Sequence, residues 1–200
     1  MDEKLTKSVL AAVLAGGSGE RIGGAKATVQ LDGRPLISYP LEAALDALGA
    51  VAVVAKDDVE LPPLDQRAEL WIEPDEPRHP AVGVIEALRR ARGSAVVVIA
   101  CDLPLLTSEV VGLLATADAE GSVAVLASAA GRPQPLLARY EPTALEALLE
   151  FDFDAPMTEQ VMALMPTLID VPPEASFNVN DLQQLEEVSR RLRSSSEQAE

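Results

Sequence analysis

The first candidate binding residues lie in the stretch 13–26, V-L-A-G-G-S-G-E-R-I-G-G-A-K, where the residue types and their spacing suit the binding of an anion. An apolar run leads there into a stretch with five glycines, among which stand two cations, Arg21 and Lys26. Glycines have no Cβ, so successive backbone N–H groups can converge on an anion. The two cations would add charge and side-chain donors. We therefore predict a phosphate-binding loop after a strand; the alternative is a glycine-rich turn with two solvated cations.

A second candidate group centres on Asp102, in the sequence C-D-L-P of residues 101–104, directly after an apolar run. Open parallel sheets bind ligands at the carboxyl ends of their strands. A carboxylate in that position can hold Mg²⁺ against triphosphate oxygens. The alternative is an aspartate that only forms a turn before proline. The neighbouring Cys101 is interpreted as a small buried residue and not as a nucleophile.

A third candidate segment is residues 73–83 (E-P-D-E-P-R-H-P-A-V-G), which also begins at the end of a predicted strand. His79 is a candidate acid or base, and the alternative is a structural histidine beside prolines.

Two better-known glycine-rich loops do not match residues 14–36. The dinucleotide fingerprint G-x-G-x-x-G fails because three residues separate its last two glycines. The P-loop fails because Ala25 precedes Lys26 and Ala27 stands where a hydroxyl is required. What remains is L-A-G-G-x-x-x-R-x-G-x-x-K followed by L-x-G-R-P-L. This pattern resembles the signature of nucleotidyltransferases that activate a phosphorylated acceptor with a nucleoside triphosphate, and most resembles the molybdenum cofactor guanylyltransferases.

The resemblance implies roles for individual residues. Those implied to contact the nucleotide are Leu14, Ala15, Gly16, Gly17, Lys26, Asp75 and Asp102. Those implied to act in catalysis are Arg21, Lys26 and Asp102, with Asp102 also the Mg²⁺ ligand. Those implied to face the acceptor are Gln134, in residues 134–137 (Q-P-L-L), and Asn178 and Asn180, in residues 177–180 (F-N-V-N). Asparagine can both donate to a phosphate and accept from a base or a pterin, and the alternative is that the two asparagines only cap a loop. The chain departs from the family pattern at His79, where a glycine is usual. It departs again after the second predicted strand, where it reads V-V-A-K and a base-contacting asparagine is common.

Composition limits the class of protein. The 200 residues are 48% hydrophobic and 3% aromatic, which suits one α/β domain with an Ala/Val/Leu core. The net charge of -16 argues against nucleic acid or an anionic membrane as partner. Because Cys101 is the single cysteine, an intrachain disulfide and a CxxC zinc site are excluded. Without an 18-residue apolar run or an apolar signal-peptide core, we expect a cytoplasmic protein.

Strand-like and helix-like segments alternate along the chain. The strands are expected at residues 8–15, 50–55, 69–73, 95–100, 123–127, 135–139 and 167–171, with a turn at 131–133. The helices are expected at residues 36–48, 81–92, 108–116, 142–149, 158–164 and 182–192. This order predicts a three-layer α/β/α sandwich around a Rossmann-like, mostly parallel sheet, and the resemblance implies the nucleotide-diphospho-sugar transferase type. We expect one domain, residues 1–193, and a disordered tail, residues 194–200.

The expected reaction is transfer of GMP from GTP to the phosphate of molybdopterin, with release of pyrophosphate and with Mg²⁺ as cofactor. Alternatives within the fold are a transferase that uses CTP, or one that uses a sugar or polyol phosphate as acceptor. An alternative of another class is a nucleotide-binding module that regulates a partner without turnover. The resemblance further implies GTP and molybdopterin as substrates and transient contact with molybdoenzyme maturation proteins.

Overall fold

The fold is built on a seven-stranded sheet, seen in a computed structural model that describes residues 9–16 and 26–197. In chain order the strands are β1 Val9–Leu14, β2 Gln30–Leu31, β3 Arg34–Pro35, β4 Val51–Ala55, β5 Ala68–Ile72, β6 Ala95–Ala100, β7 Ala124–Ala129, β8 Arg132–Tyr140 and β9 Thr167–Val171. The main sheet has the order β5-β4-β1-β6-β8-β7-β9, whereas β2 and β3 pair only with each other. The predicted α/β class with a mostly parallel sheet is thereby confirmed.

Strand β8 is the antiparallel member of the main sheet and pairs with both β6 and β7. Its partner β6 stops at Ala100, and the last pair of that ladder joins Ile99 to Leu137. The first half of β8 therefore extends beyond the end of β6 and pairs on one side, with β7. Prolines are tolerated in such a half-paired segment, which explains how Pro133 and Pro135 fit inside the sheet.

Helices cover both faces of the main sheet. They are α1 Ser38–Ala47, α2 Pro80–Arg90, α3 Ser108–Thr116, α4 Ala144–Leu149, α5 Met157–Ala163 and α6 Leu182–Glu197. Strand β1 is apolar on both faces, so Ala11 and Val13 pack in the core beneath α1 and α3 while Ala12 and Leu14 pack in the core beneath α2, α4 and α5. Three layers result, with the carboxyl ends of β1, β4, β5 and β6 at one edge.

A third, smaller core lies outside the two main layers. It packs α6 against the hairpin of β2 and β3 and contains Leu31, Leu36, Val179 and Val188. The hairpin turn is formed by Asp32 and Gly33, both with positive φ (48° and 79°), as a two-residue type I′ turn requires. The hairpin was not predicted from the sequence.

The largest differences from the expected element boundaries lie at the turn between β7 and β8 and at the end of α6. The turn between β7 and β8 lies at Ala130 and Gly131, both with positive φ, and not at residues 131–133. Helix α6 continues to Glu197, so residues 194–197 of the expected disordered tail are helical. The extension has local support, because Ser194 Oγ donates to the Arg190 carbonyl at 2.9 Å and Arg193 pairs with Asp32 at 2.6 Å.

None of the helices in the described part of the chain is both long enough and apolar enough to cross a membrane.

Candidate active site

A cavity of about 580 Å³ opens at the carboxyl ends of the parallel strands. It lies where open α/β sheets bind ligands and draws its walls from the ends of β1, β4, β5 and β6. The residues that line it are Leu14, Gly16, Lys26, Lys56, Asp58, Val59, Glu60, Glu73, Arg78, His79, Pro80, Ala100, Cys101, Asp102, Leu136 and Asn178.

The polar cluster at this cavity joins three distant parts of the chain. Lys26, in a one-turn 3-10 helix, places its Nζ 2.7 Å from Asp102 Oδ2 and 2.6 Å from Asn180 Oδ1. Asp102 follows β6 and is 7% exposed, so its carboxylate lies in the protein and not in bulk solvent. An ammonium held between two oxygens is fixed in position, and a fixed cation beside a cavity can bind an anionic ligand.

The segment that contains both asparagines lies directly against Asp102. The Val179 N–H donates to the Asp102 carbonyl at 3.0 Å, and Asn178 Nδ2 donates to Asp102 Oδ1 at 3.3 Å. Val179 itself is buried in the third core. The asparagines are therefore placed at the cluster by the packing of the segment that leads into α6, and not by a local loop turn.

Asp102 can supply one carboxylate to a metal ion. No group of three or more His, Cys, Asp or Glu side chains that could hold a metal ion is found in residues 9–16 and 26–197. Mg²⁺ usually keeps several waters and binds proteins through one or two carboxylates together with substrate phosphates. A single carboxylate at the edge of a cavity large enough for a nucleotide fits that mode of binding.

A second buried ionic pair lines the same cavity and was not predicted from the sequence. Lys56 directly follows β4, Glu73 directly follows β5, and each is 8% exposed. Lys56 Nζ lies 3.5 Å from Glu73 Oε1 and also donates to the Pro74 carbonyl. Burial raises the pKa of the Glu73 carboxyl, and the charge of Lys56 opposes that rise. The signal was present, since each residue directly follows a strand of the main sheet.

His79 has a structural contact that accounts for its position. It is the N-cap of α2, and its Nδ1 accepts from the Ala81 N–H at 3.2 Å. Its ring also packs edge-on against Phe153, with 5.5 Å between the ring centroids. The structural interpretation of His79 therefore has direct support.

Cys101 is held inside the main core at the end of β6. It is 4% exposed, and burial raises the pKa of its thiol to about 12. The adjacent Asp102 carboxylate acts in the same direction. A thiolate is the nucleophilic form of cysteine, so this environment favours the interpretation of Cys101 as a packing residue.

The other predicted site residues fall into three groups. Leu14 and Gly16 line the cavity, and the Ala15 N–H donates to the Val54 carbonyl at 2.8 Å beside them. Asp75 and Gln134 do not line the cavity: Asp75 is exposed, and Gln134 pairs with Ala127 in the sheet. Gly17 and Arg21 lie outside the described residues.

Comparison with known families indicates the class of protein. A family model described as MobA-like NTP transferase domain matches residues 11–166. The chain belongs to this family. Membership of the MobA-like NTP transferase domain family confirms the resemblance found in the glycine-rich and C-D-x-P patterns, and with it the expected class of nucleotidyltransferase.

Named relatives of this MobA-like chain are molybdenum cofactor guanylyltransferases. The one from Pseudomonas putida is 38% identical over 118 residues, or 57% of this chain and 61% of the relative. A probable one from Bacillus licheniformis is 32% identical over 131 residues, or 64% and 66% of the two chains. The chain thus spans less than two thirds of the length of these two relatives. The match to the Shewanella amazonensis protein covers 96% of that relative at 25% identity.

Solved structures share the fold of this MobA-like domain. Molybdopterin-guanine dinucleotide biosynthesis protein A from Archaeoglobus fulgidus aligns with a TM-score of 0.71 at 24% identity, over 92% of this chain and 98% of that one. 2-C-methyl-D-erythritol 4-phosphate cytidylyltransferase from Thermus thermophilus aligns with a TM-score of 0.63 at 22% identity, over 92% and 98% of the chains. At these identities the comparison supports the fold alone, and the predicted fold class is confirmed.

Proposed function

We propose that this protein transfers GMP from GTP to the terminal phosphate of molybdopterin and releases pyrophosphate. The observation that carries the proposal is the contact of Lys26 with Asp102 and Asn180 beside the cavity. It unites the end of the glycine-rich stretch, the C-D-x-P aspartate and the N-x-N segment, which are the parts that a nucleotidyltransferase needs. The names of the relatives support the choice of GTP and molybdopterin.

The reaction needs little covalent chemistry from the protein. The acceptor phosphate is ionised at neutral pH, so its oxygen can attack the α-phosphorus of GTP directly. A new P–O bond forms there while the bond from the α-phosphorus to the bridging oxygen breaks, and pyrophosphate leaves with that electron pair. Without a proton to remove, no general base is required. Positioning and charge neutralisation then supply most of the rate enhancement.

Lys26 and Asp102 have separate roles in this proposal. Lys26 is already held between two oxygens, so its ammonium can neutralise phosphate charge with little reorganisation. Asp102 would hold Mg²⁺, and a bound Mg²⁺ would supply positive charge to the triphosphate and to the leaving pyrophosphate. Arg21 and the backbone N–H groups of Gly16 and Gly17 are proposed to complete the phosphate site.

The acceptor side of the site is proposed from Asn178 and Asn180. Asn178 lines the cavity and Asn180 binds Lys26, so a phosphate positioned between them would lie close to the cation. Gln134 is also proposed for this role, although its Nε2 donates to the Arg132 carbonyl at 3.2 Å. Amide groups can both donate and accept, which suits a ligand that carries both phosphate and pterin.

Pyrophosphate release tests the proposal. The protein would be mixed with each of the four nucleoside triphosphates, with Mg²⁺, and with or without molybdopterin. We expect release only when GTP and molybdopterin are both present. Release with CTP in place of GTP, or with a sugar or polyol phosphate in place of molybdopterin, would replace the substrate assignment. Nucleotide binding without release under any of these conditions would favour a regulatory module.

A second measurement concerns Asp75, which the family resemblance implied to contact the nucleotide. A carboxylate can accept both guanine donors, the N1–H and the N2 amino group. Asp75 is exposed and does not line the cavity, so we expect Asp75→Ala to leave GTP and CTP affinities unchanged in equilibrium titrations. A loss of GTP preference in Asp75→Ala would show that Asp75 reaches the base.

A further inference from the structure

The carboxylate proposed to hold Mg²⁺ is already occupied by side chains of the protein itself. Lys26 Nζ lies 2.7 Å from Asp102 Oδ2, and Asn178 Nδ2 donates to Asp102 Oδ1 at 3.3 Å. The side chains of Lys26 and Asp102 are 19% and 9% exposed, so salt and water screen this ion pair weakly. The negative charge of Asp102 is therefore balanced by an ammonium before any metal ion arrives.

A metal ion and the Lys26 ammonium would compete for Asp102. A carboxylate oxygen binds Mg²⁺ at about 2.0 to 2.1 Å, and the ammonium already lies 2.7 Å from Oδ2. Two cations in contact with one carboxylate repel each other. The part of the chain that the structure describes contains no group of three or more His, Cys, Asp or Glu side chains that could hold a metal ion and offset this repulsion. Mg²⁺ alone should therefore bind poorly while Lys26 stays on Asp102.

A second contact keeps the ammonium at the cavity when it leaves Asp102. Asn180 Oδ1 lies 2.6 Å from Lys26 Nζ, and the Asn180 backbone N–H donates at 2.7 Å to Oε1 of Gln184, in the first turn of α6. An ammonium has three donors on a flexible stem. Lys26 can therefore exchange the carboxylate for a phosphate oxygen by a short shift, while its contact with Asn180 remains.

We propose that Lys26 is a built-in counter-ion that keeps divalent metal ions off Asp102 in the free protein, and that a nucleoside triphosphate admits the metal by drawing the ammonium onto its own phosphates. The inference rests on the proposed function, in which the cavity binds a triphosphate and Asp102 a metal ion. It adds that the two ligands favour each other's binding, because each frees the group that the other needs. Such coupling between sites is reciprocal and typically changes affinity by about 5-fold to 150-fold.

The first test uses Mn²⁺ as the probe, with no nucleotide present. Free Mn²⁺ would be measured by electron paramagnetic resonance during titration of the wild-type protein and of Lys26→Met. A contact with a charged group corresponds to roughly a tenfold or greater change in affinity, so Lys26→Met should bind Mn²⁺ about tenfold more tightly than the wild-type protein. Addition of Asp102→Asn to Lys26→Met should abolish the gain. Equal Mn²⁺ affinity of the wild-type protein and Lys26→Met would overturn the proposal.

Arg78→Met is the matched control for a general loss of positive charge from the cavity. Arg78 lines the same cavity and pairs with Asp58 at 3.4 Å, but the side chains of that pair are 64% and 62% exposed. Exposed ion pairs are weak, so we expect the Mn²⁺ affinity of Arg78→Met to stay within about threefold of the wild-type value. A gain as large as that of Lys26→Met would contradict a specific role of Lys26.

The second test measures GTP binding by calorimetry in the presence of EDTA, so that no divalent metal ion contributes. Asp102→Asn removes the group that competes with the triphosphate for Lys26, so it should bind metal-free GTP about tenfold more tightly than the wild-type protein. Asp58→Asn removes a carboxylate from the exposed pair at the same cavity and should change the affinity by about threefold or less.

A double-mutant cycle assigns the gain in GTP affinity to Lys26. In the Lys26→Met background, Asp102→Asn should raise the affinity for metal-free GTP by about threefold or less, because no ammonium is left to release. An equal gain with and without Lys26 would show that Asp102 repels GTP directly, and the proposal would fail. An Asp102→Asn gain no larger than that of Asp58→Asn would have the same meaning.

These tests separate the inference from the proposed function. If the wild-type protein releases pyrophosphate from GTP with molybdopterin but Lys26→Met gains no Mn²⁺ affinity, the inference fails and the proposed function stands. If Lys26→Met gains Mn²⁺ affinity but the wild-type protein binds no nucleoside triphosphate, the proposed function fails, and the part of the inference that concerns the nucleotide fails with it.

Discussion

Replacement of Lys26 by methionine tests the centre of the site most directly. Methionine keeps the unbranched shape of the side chain but removes the charge and all donors. The change deletes the contacts of 2.7 Å with Asp102 Oδ2 and 2.6 Å with Asn180 Oδ1. It also removes the cation proposed to meet the triphosphate, so both structure and turnover should respond.

The expected effect of Lys26→Met on turnover is larger than its effect on the unfolding free energy. Loss of a preorganised donor to a developing charge costs about 2.7 to 4 kcal/mol of transition-state stabilisation, which lowers turnover by roughly one hundredfold to one thousandfold. The effect on unfolding is smaller. Asp102 keeps the Asn178 amide as a donor, so the unpaired carboxylate should cost about 1 to 3 kcal/mol of unfolding free energy.

The assay is pyrophosphate release under single-turnover conditions, together with urea unfolding of the same samples. Arg67→Met is the matched control, because it removes a cation from an exposed pair with Asp65 that does not line the cavity. A double-mutant cycle with Asp102→Asn should give a coupling free energy of about 0.5 to 3 kcal/mol for unfolding. Turnover by Lys26→Met within about threefold of the wild-type protein would refute the assignment of Lys26 to the transition state.

Three other predictions follow from described contacts. Asp102→Asn should weaken the Mg²⁺ dependence of turnover by roughly tenfold or more; unchanged Mg²⁺ titrations would make Asp102 a turn residue. Buried Arg139 donates to three carbonyls at the end of α3 and pairs with Glu141 at 2.8 Å. Arg139→Met should therefore lower the unfolding free energy, measured in urea, by about 3 to 5 kcal/mol. A change below about 1 kcal/mol would contradict this. Because burial raises the pKa of Glu73, with the charge of Lys56 opposing that rise, the folded protein binds a proton at Glu73 at a higher pH than the unfolded chain does, so the contribution of Glu73 to the unfolding free energy should become more favourable as the pH falls. The same pH dependence of urea unfolding in Glu73→Gln would contradict this.

Lys26 and Asp102, which the structure brings into contact, each lie in a local sequence pattern. Asp102 lies two residues after the end of the buried strand β6, and the carboxyl ends of neighbouring parallel strands share one edge. The sequence does not predict the contact between Lys26 and Asn180, because the two residues are 154 positions apart in the chain. That contact depends on how α6 packs against the hairpin, and side-chain periodicity carries no information about that packing.

The positions of Asp75 and Glu73 relative to the cavity show a second limit of prediction from sequence. The two residues are separated by one position, and sequence patterns locate strand ends only to within a few residues. The β5 ladder continues through the Glu73 N–H, which places that carboxylate in the cavity and leaves Asp75 in the exposed loop beyond it. The hairpin of β2 and β3 was missed because two-residue strands show no periodicity, although its Asp-Gly turn is a recognisable signal.

The third core has a consequence for how the site forms during synthesis. Val179 packs there with Val188, Leu31 and Leu36, while its neighbours Asn178 and Asn180 reach Asp102 and Lys26. The main sheet is complete once β9 has been made, but the ribosome must still produce α6 before residues 178–180 can be anchored. A nascent chain that stops after β9 would therefore hold a finished sheet and an unfinished site. Nucleotide capture would be delayed until translation has passed the last helix.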